Sequence, residues 1–178
     1  MKTAIIIGHD PINQGARSFN GYTEWSYWLT FCMHYLNELE NCEFFLRKPG
    51  TYKQSITQLV SEVKEYKADF AVELHFNAFN GRVEINRAEV LKIDNNLGLN
   101  FASTFSDEMK EVYKTDTKII EVGNDDRGYF TLKSFQDKKI PAVILEPFFG
   151  DTSNRLALEC MTDREKLAEV IARSIRSV

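Results

Sequence analysis

The sequence lacks long hydrophobic runs and an excess of positive charge. Its longest apolar runs, such as residues 4–7 and 142–145, are far too short to cross a bilayer, so we expect no membrane span. The formal net charge is -4 at pH 7, which argues against nucleic acid as a partner, because phosphate binding requires a basic surface. The N-terminus has one lysine before a short apolar run, and no small-residue cleavage site follows. Without a signal peptide, the protein is expected to reside first in a cytoplasm.

Cysteine is also scarce. Cys32, Cys42 and Cys160 are odd in number and widely spaced, and the sequence has no C-x-x-C pair. This pattern argues against a disulfide framework and against a thiolate zinc site. We expect three thiols that pack within the fold.

What the chain does have is the composition of one soluble domain. It contains 178 residues, of which 43% are hydrophobic and 27% are charged. No internal repeat, low-complexity segment or linker interrupts it, and the last predicted helix runs nearly to Val178. We therefore expect a single domain over residues 1–178.

Strand and helix patterns alternate along the chain. Apolar and β-branched runs predict strands at 3–7, 42–46, 70–76, 83–91, 117–122 and 142–148. Apolar stripes at helical spacing predict helices at 24–39, 53–66, 97–113, 126–137 and 163–175. This alternation predicts an α/β fold: a three-layer sandwich with a mostly parallel, twisted sheet flanked by helices.

Three residues suited to metal or acid–base chemistry stand at the ends of predicted strands. His9 follows the first strand, His75 lies near the end of the third, and Glu146 lies near the end of the last. Ligands of parallel α/β sheets bind outside the carboxyl ends of the strands, so these side chains are expected to meet. Glu24 opens the first helix, and the long loop before it allows the carboxylate to fold back beside His9.

Two histidines and one glutamate form a catalytic zinc ligand set that leaves a fourth position open for water. A further carboxylate can take the proton of that water, and this role is open to Glu146. Each residue taken alone has an ordinary structural explanation, such as a hydrogen-bonded histidine or a glutamate favoured in the first turn of a helix. Their joint occurrence at strand ends is what favours a metal site.

Three motifs resemble those of the zinc-dependent N-acetylmuramoyl-L-alanine amidases of the "amidase 3" family, and they occur in that family's order. They are GHDP at residues 8–11 with Gly15, Ala16 and Glu24 after it, ELHFNA at 73–78 with Gly81 and Glu84 beyond it, and PAVILEPFF at 141–149. The match spans essentially the whole chain. The compact form, with DRGY at 126–129 leading toward the last strand, looks most like the catalytic domains of phage endolysins.

The resemblance implies that His9, Glu24 and His75 bind one zinc ion and that Glu146 is the catalytic acid and base. It implies that bacterial peptidoglycan is the substrate, cut between N-acetylmuramic acid and the L-alanine of the stem peptide. The chain departs from the family's usual pattern at residues 10–14, which read DPINQ where a glycine-rich run is common. The cell-wall-binding domain that the family's lysins often carry is not present in the sequence, so we expect either a natural single-domain lysin or the catalytic part of a longer protein. A lysin without a signal would remain in the host cytoplasm until a membrane pore gave it access to the wall.

Three further polar residues have two interpretations each. Glu73 shares a strand face with His75, so it could orient that histidine or form a salt bridge with a basic residue. Asn77 could hydrogen-bond substrate or cap the loop that follows it. Arg127 could bind a carboxylate or carbonyl of the substrate, or be a solvated surface residue.

Two other functions remain open at the level of sequence. A zinc carboxypeptidase or endopeptidase acting on peptidoglycan cross-links could use the same ligands. A wall-binding module without catalytic activity is the other, although it would have no need for a general base such as Glu146. The oligomeric state does not follow from the sequence.

Overall fold

One sheet organises the molecule. The computed structural model describes residues 1–79 and 85–178, and within these ranges the sheet has six strands in the order β2-β1-β3-β6-β4-β5. The strands are β1 Thr3–Ile7, β2 Cys42–Leu46, β3 Phe70–Leu74, β4 Ala88–Lys92, β5 Thr117–Glu121 and β6 Ala142–Glu146. Neighbouring strands are parallel except β4 and β6, which are antiparallel. The predicted α/β fold with a mostly parallel sheet is confirmed.

Helices cover both faces of the sheet. In the described ranges they are α1 Glu24–Phe31, continued by a π-helical segment Cys32–Leu36, then α2 Tyr52–Tyr66, α3 Asn96–Tyr113, α4 Tyr129–Asp137, α5 Arg155–Thr162 and α6 Arg164–Arg176. Residues of α1, α3, α5 and α6 belong to one hydrophobic core, and residues of α2 and α4 belong to the other. The three layers of the predicted sandwich are therefore helices, sheet and helices.

The central strands are apolar on both faces because both faces are covered. In β1, Ile5 and Ile7 pack into the first core, whereas Ala4 and Ile6 pack into the second. All four are at most 1% exposed. Such continuous apolar strands are typical of parallel sheets between helical layers.

Several predicted boundaries differ from the structure. The predicted helix 126–137 begins at Tyr129, because Gly128 before it has a φ of 79°, outside the helical region. The short helix α5 was not predicted; Asn154 caps it by accepting a hydrogen bond from the Ala157 amide. Gly81, Glu84 and the first residues of the predicted extended piece 83–91 lie outside the described residues.

The sequence predicts neither a membrane-spanning helix nor a disulfide framework. In the part of the chain that the structure describes, no helix combines the length and apolarity needed to cross a bilayer. The three cysteines are free thiols, with Cys32 and Cys160 buried and Cys42 partly buried.

Candidate metal centre and active site

The site forms where three parallel strands end side by side. Leu74 of β3 is paired with Ile7 of β1 on one side and with Leu145 of β6 on the other. His75 directly follows β3, and Glu146 is the last residue of β6. His9 lies two residues beyond β1. The structure thus brings these predicted residues to one edge of the sheet, as the parallel arrangement requires.

Glu24 joins the two histidines. Its Oε2 lies 3.1 Å from His9 Nε2 and 3.0 Å from His75 Nδ1, and its Oε1 accepts a hydrogen bond from the Ala16 amide. Thr23 fixes the start of α1 as the N-cap, so Glu24 occupies the first helical position, as the sequence predicts. The three side chains form a compact set with two imidazole nitrogens and one carboxylate oxygen facing a common point.

Two glycines allow this close approach. A Cβ on Gly15 would lie 2.5 Å from His9 Cδ2 and 2.9 Å from Glu24 Oε1, and Gly15 has a φ of +76°. A Cβ on Gly8 would lie 2.5 Å from His75 Cε1. His9 itself has a positive φ of 67°, a conformation that non-glycine residues adopt rarely and often at functional sites. The GHDP and Gly15 positions of the first motif therefore shape the cluster directly.

Electrostatics couples the three groups strongly. Burial opposes the charge on Glu24, but hydrogen bonds from His75 and His9 lower its pKa to about 2. Burial likewise opposes the charge on His75, yet Glu24 and Glu73 raise its pKa to about 10. The two carboxylates thus stabilise a positive charge on the His75 ring, and the two histidines stabilise the negative charge on Glu24.

Glu73 lies behind His75 and is paired with a basic residue as well. Its Oε1 is 3.5 Å from His75 Nε2, on the opposite side of the ring from Glu24, and 3.6 Å from Arg47 Nη1. Both Glu73 and Arg47 are buried. The structure therefore pairs Glu73 with a basic residue and also places it beside His75, so a role in orienting that ring stays a prediction. Burial raises the pKa of Glu73, and His75 and Arg47 together more than offset that effect and lower it.

Glu146 is buried beside a cation, as the apolar character of its strand requires. Arg127 places Nη1 2.8 Å from Glu146 Oε1 and Nη2 2.7 Å from Oε2. Burial nevertheless keeps the pKa of Glu146 above its ordinary value, although Arg127 and His75 lower it. A carboxyl group with a raised pKa is a stronger base when ionised and is suited to general acid–base catalysis near neutral pH.

Asn77 and Arg127 both donate hydrogen bonds to Glu89 of β4, a residue that the sequence patterns do not single out. Asn77 Nδ2 donates to Glu89 Oε2 at 3.0 Å, and Asn77 Oδ1 accepts from Arg127 Nη1 at 3.2 Å and from the Ala78 amide at 2.9 Å. Arg127 also donates to Glu89. Asn77 thus contacts the start of its own loop and also lines the cleft, and Arg127 is engaged with protein carboxylates.

Glu89 and Arg47 were not predicted, although the sequence marks them in the same way as Glu146: each is a charged residue in or next to a largely apolar strand. Glu89 stands in the otherwise apolar run 88–91, and Arg47 directly follows the second strand. A buried charge in such a run requires a partner. The sequence does not identify the partners of these charges, because it gives neither the direction of β4 nor the pairing of the strands.

One cleft of about 540 Å³ connects the site, and the charged residues and Asn77 described above line it, except Glu89. Its wall runs from His9 and Glu24 past Glu146 to Arg127, and Tyr52 and Thr131 line it on the α2–α4 side. A cleft of this size accommodates part of an extended ligand.

The donor set fits a zinc ion. His9, Glu24 and His75 each offer one ligand atom, and these atoms lie within 4.8 Å of one another. One ion about 2.0–2.2 Å from each nitrogen and oxygen is compatible with that spacing. The set has three protein ligands, the number that catalytic zinc sites use, and Glu73 supports His75 from the other side of its ring, as carboxylates behind zinc-bound histidines commonly do.

Comparisons with known proteins agree with this geometry. A family model described as N-acetylmuramoyl-L-alanine amidase matches residues 4–177. No curated protein matches the chain significantly. Solved structures with the same fold include the amidase AmiC2 of Nostoc punctiforme, at 21% identity and a TM-score of 0.72, with 99% of this chain and 95% of that chain covered.

Two further structures extend the comparison. The catalytic domain of the CD27L endolysin, which targets Clostridia Difficile, has a TM-score of 0.73 at 23% identity, with 99% of this chain and 97% of that chain covered. The amidase Ami1 of Mycobacterium smegmatis has a TM-score of 0.70 at 14% identity, with 99% and 95% covered. At such identities these similarities establish a shared fold.

Proposed function

Because this chain belongs to the N-acetylmuramoyl-L-alanine amidase family, we propose that it is a zinc-dependent peptidoglycan amidase. The bond cut is the amide between N-acetylmuramic acid and the L-alanine of the stem peptide. The observation that carries the proposal is the convergence of His9, Glu24 and His75 on one point, in the same cleft as the buried Glu146.

His9, Glu24 and His75 would hold the zinc ion. When bound, zinc supplies Lewis acidity that polarises a carbonyl group and lowers the pKa of water to about 7. Glu73 keeps the His75 ring in the orientation that directs Nδ1 toward the site, because it lies at Nε2. As a ligand, Glu24 would bind in its ionised form, and the two histidines in their neutral form.

Glu146 would act as the general base and then as the general acid. In its ionised form it takes a proton from the water that attacks the amide carbonyl. The same group then returns the proton to the leaving amine of L-alanine, so that the C–N bond breaks and the carboxyl group remains on the lactyl arm of the sugar. Burial, which raises the pKa of Glu146, makes both transfers easier near neutral pH.

Digestion of purified peptidoglycan tests the proposal. Walls with different stem-peptide compositions are incubated with the wild-type protein and with Glu146→Gln, each with and without a zinc chelator, and the products are identified by mass spectrometry. We expect intact stem peptides with a free L-alanine amino end, released only by the wild type without chelator. Cleavage inside the stem peptide or its cross-link would identify a carboxypeptidase or endopeptidase instead, and no hydrolysis of any wall would refute enzymatic activity.

We also propose that residues 1–178 form a single catalytic domain that acts in phage lysis, from the host cytoplasm, after the membrane has been opened. The likeness to the catalytic domain of the CD27L endolysin supports this proposal. Cells whose wall the protein digests in vitro should stay intact while they express it and lyse when a pore-forming agent is added. Lysis that begins on expression alone would contradict the proposed localisation.

A further inference from the structure

Two buried carboxylates face each other at the edge of the cleft. Glu89 of β4 is paired in register with Glu146 of β6 across the antiparallel strands. The side chain of Glu89 is 4% exposed and that of Glu146 is 8% exposed. Directly opposite residues of antiparallel strands have Cβ atoms about 5 Å apart, so two like charges there repel and destabilise the pair unless a cation lies between them.

Arg127 is that cation. Its guanidinium meets both oxygens of Glu146 and donates to Glu89 Oε2. Glu89 has two further partners. Arg87 donates to its Oε1 from Nε at 2.9 Å and from Nη2 at 2.7 Å, and Asn77 donates to its Oε2. Glu89 is therefore a fixed anchor, with partners on both of its oxygens.

Arg127 needs such an anchor because its own position is exposed. It precedes α4 in a loop, and 49% of its side chain is accessible to solvent. An exposed arginine paired with a single carboxylate is held weakly and exchanges with water. A second carboxylate that is buried and held by its own partners restricts the guanidinium to one orientation. The guanidinium is planar and its donors point in fixed directions, so few orientations allow it to bind both carboxylates.

We propose that Glu89 is a positioning residue of the catalytic centre: its carboxylate holds Arg127 against Glu146 and so fixes the orientation of the general base. The proposal rests on the function proposed for Glu146. Glu89 does not touch the reacting atoms; it acts through Arg127. Its carboxylate also shares the positive charge of Arg127, so that the guanidinium neutralises the charge of Glu146 only in part.

This arrangement assigns Arg127 a different role from substrate binding. Both of its terminal nitrogens already contact protein carboxylates, so neither is free to bind a substrate group without loss of an ion pair. Changes at either residue should consequently alter kcat and leave KM nearly unchanged.

The test is a double-mutant cycle on the zinc-loaded protein. Glu89→Gln keeps the shape of the side chain and removes its charge, and Arg127→Met keeps the aliphatic stem of the arginine. Rates are measured with soluble disaccharide–pentapeptide fragments of peptidoglycan. Glu121→Gln is the control. Glu121, the last residue of β5, is paired with Lys92 at the other end of β4 from Glu89, away from the cleft.

We expect Glu89→Gln to lower kcat by about 10- to 100-fold, with KM changed less than about twofold. The loss in kcat is in the range given for residues that hydrogen-bond to metal ligands and orient them. Glu121→Gln should match the wild type. In the Arg127→Met background, Glu89→Gln should cause no further loss and can restore activity, because the facing carboxylates no longer repel. Independent, multiplicative losses would overturn the proposal, and so would a rise in KM with kcat unchanged.

A measurement that does not depend on activity separates this proposal from the proposed function. The two Nη groups of Arg127 should give separate ¹⁵N NMR signals in the wild type, because rotation of the anchored guanidinium is slow, and Arg127→Met identifies them by their loss. Glu89→Gln should merge them into one averaged signal, and Glu121→Gln should not. Signals already averaged in the wild type, or still separate in Glu89→Gln, would refute the anchoring role. If no wall is cleaved but the signals behave as expected, the proposed function fails and the anchoring stands.

Discussion

Gly15 packs directly against His9: a methyl group on Gly15 would lie 2.5 Å from Cδ2 and 2.6 Å from Nε2 of the imidazole. Nε2 is the nitrogen that points toward Glu24. The backbone of the loop before α1 therefore forms one wall of the candidate metal centre, and a single added carbon atom would displace His9, one of the proposed ligands.

Gly15→Ala should weaken zinc binding by about tenfold or more, because the new methyl group pushes His9 away from its position. Gly21→Ala is the matched control. Gly21 also has a positive φ, +93°, but a Cβ there meets no atom within 4 Å. Both changes carry a backbone cost of about 1–2 kcal/mol. Competition with a chromogenic chelator measures the affinity, and equal losses in both variants would show that backbone strain, not contact with His9, is responsible.

Glu146→Gln should abolish most of the activity while zinc remains bound. Removal of a general base costs on the order of 10²–10⁴ in kcat, and Gln keeps the size and one acceptor oxygen of the side chain. Metal analysis by mass spectrometry should find one zinc per chain in the variant, as in the wild type. Loss of zinc together with activity would mean that Glu146 is a ligand and that another group is the base.

The pH dependence of the rate should respond to Arg127 in a defined direction. Burial raises the pKa of Glu146, Arg127 and His75 lower it, and Glu89 raises it. Arg127→Met removes a lowering effect, so the pKa of Glu146 rises further. Because catalysis needs the ionised carboxylate, activity is then lost at a higher pH as the solution is acidified.

The acid limb of the kcat/KM profile, measured from pH 4 to 8, should therefore lie at higher pH in Arg127→Met than in the wild type. Lys133→Met, which removes the partner of the exposed Asp137 on α4, should leave the profile unchanged. A limb that moves to lower pH would mean that Arg127 does not stabilise the ionised form of Glu146.

Thiol chemistry should distinguish the three cysteines. Burial raises the pKa of the Cys32 and Cys160 thiols strongly, and both side chains are at most 1% exposed. Burial raises the pKa of Cys42 as well, but this residue is only partly buried. A disulfide reagent such as DTNB at pH 8 should modify one thiol per native chain and three after denaturation. Modification of two or three thiols in the native protein would contradict the described packing.

The sequence by itself determined most of the local elements and which residues form the candidate metal centre. Strong periodicity placed the helices at 53–66 and 97–113 within one residue of their observed starts, and α1 begins at Glu24 as predicted. His9, His75 and Glu146 follow or end parallel strands, and parallel strands carry such residues to the same edge of a sheet whatever the details of packing. That general rule made the convergence of these three residues predictable.

Only the tertiary structure decided the surroundings of Glu146. Residue patterns give the position of a strand but not its direction, and β4 runs antiparallel to β6. If β4 were parallel to β6, its second residue, Glu89, would lie toward the opposite edge of the sheet; the reversed direction places it opposite Glu146. Arg47 and Glu73 meet for a related reason, since the pairing of β2 and β3 with β1 is a long-range choice. Long-range strand pairing arises from burial of both faces of the sheet, and no local sequence window contains that information.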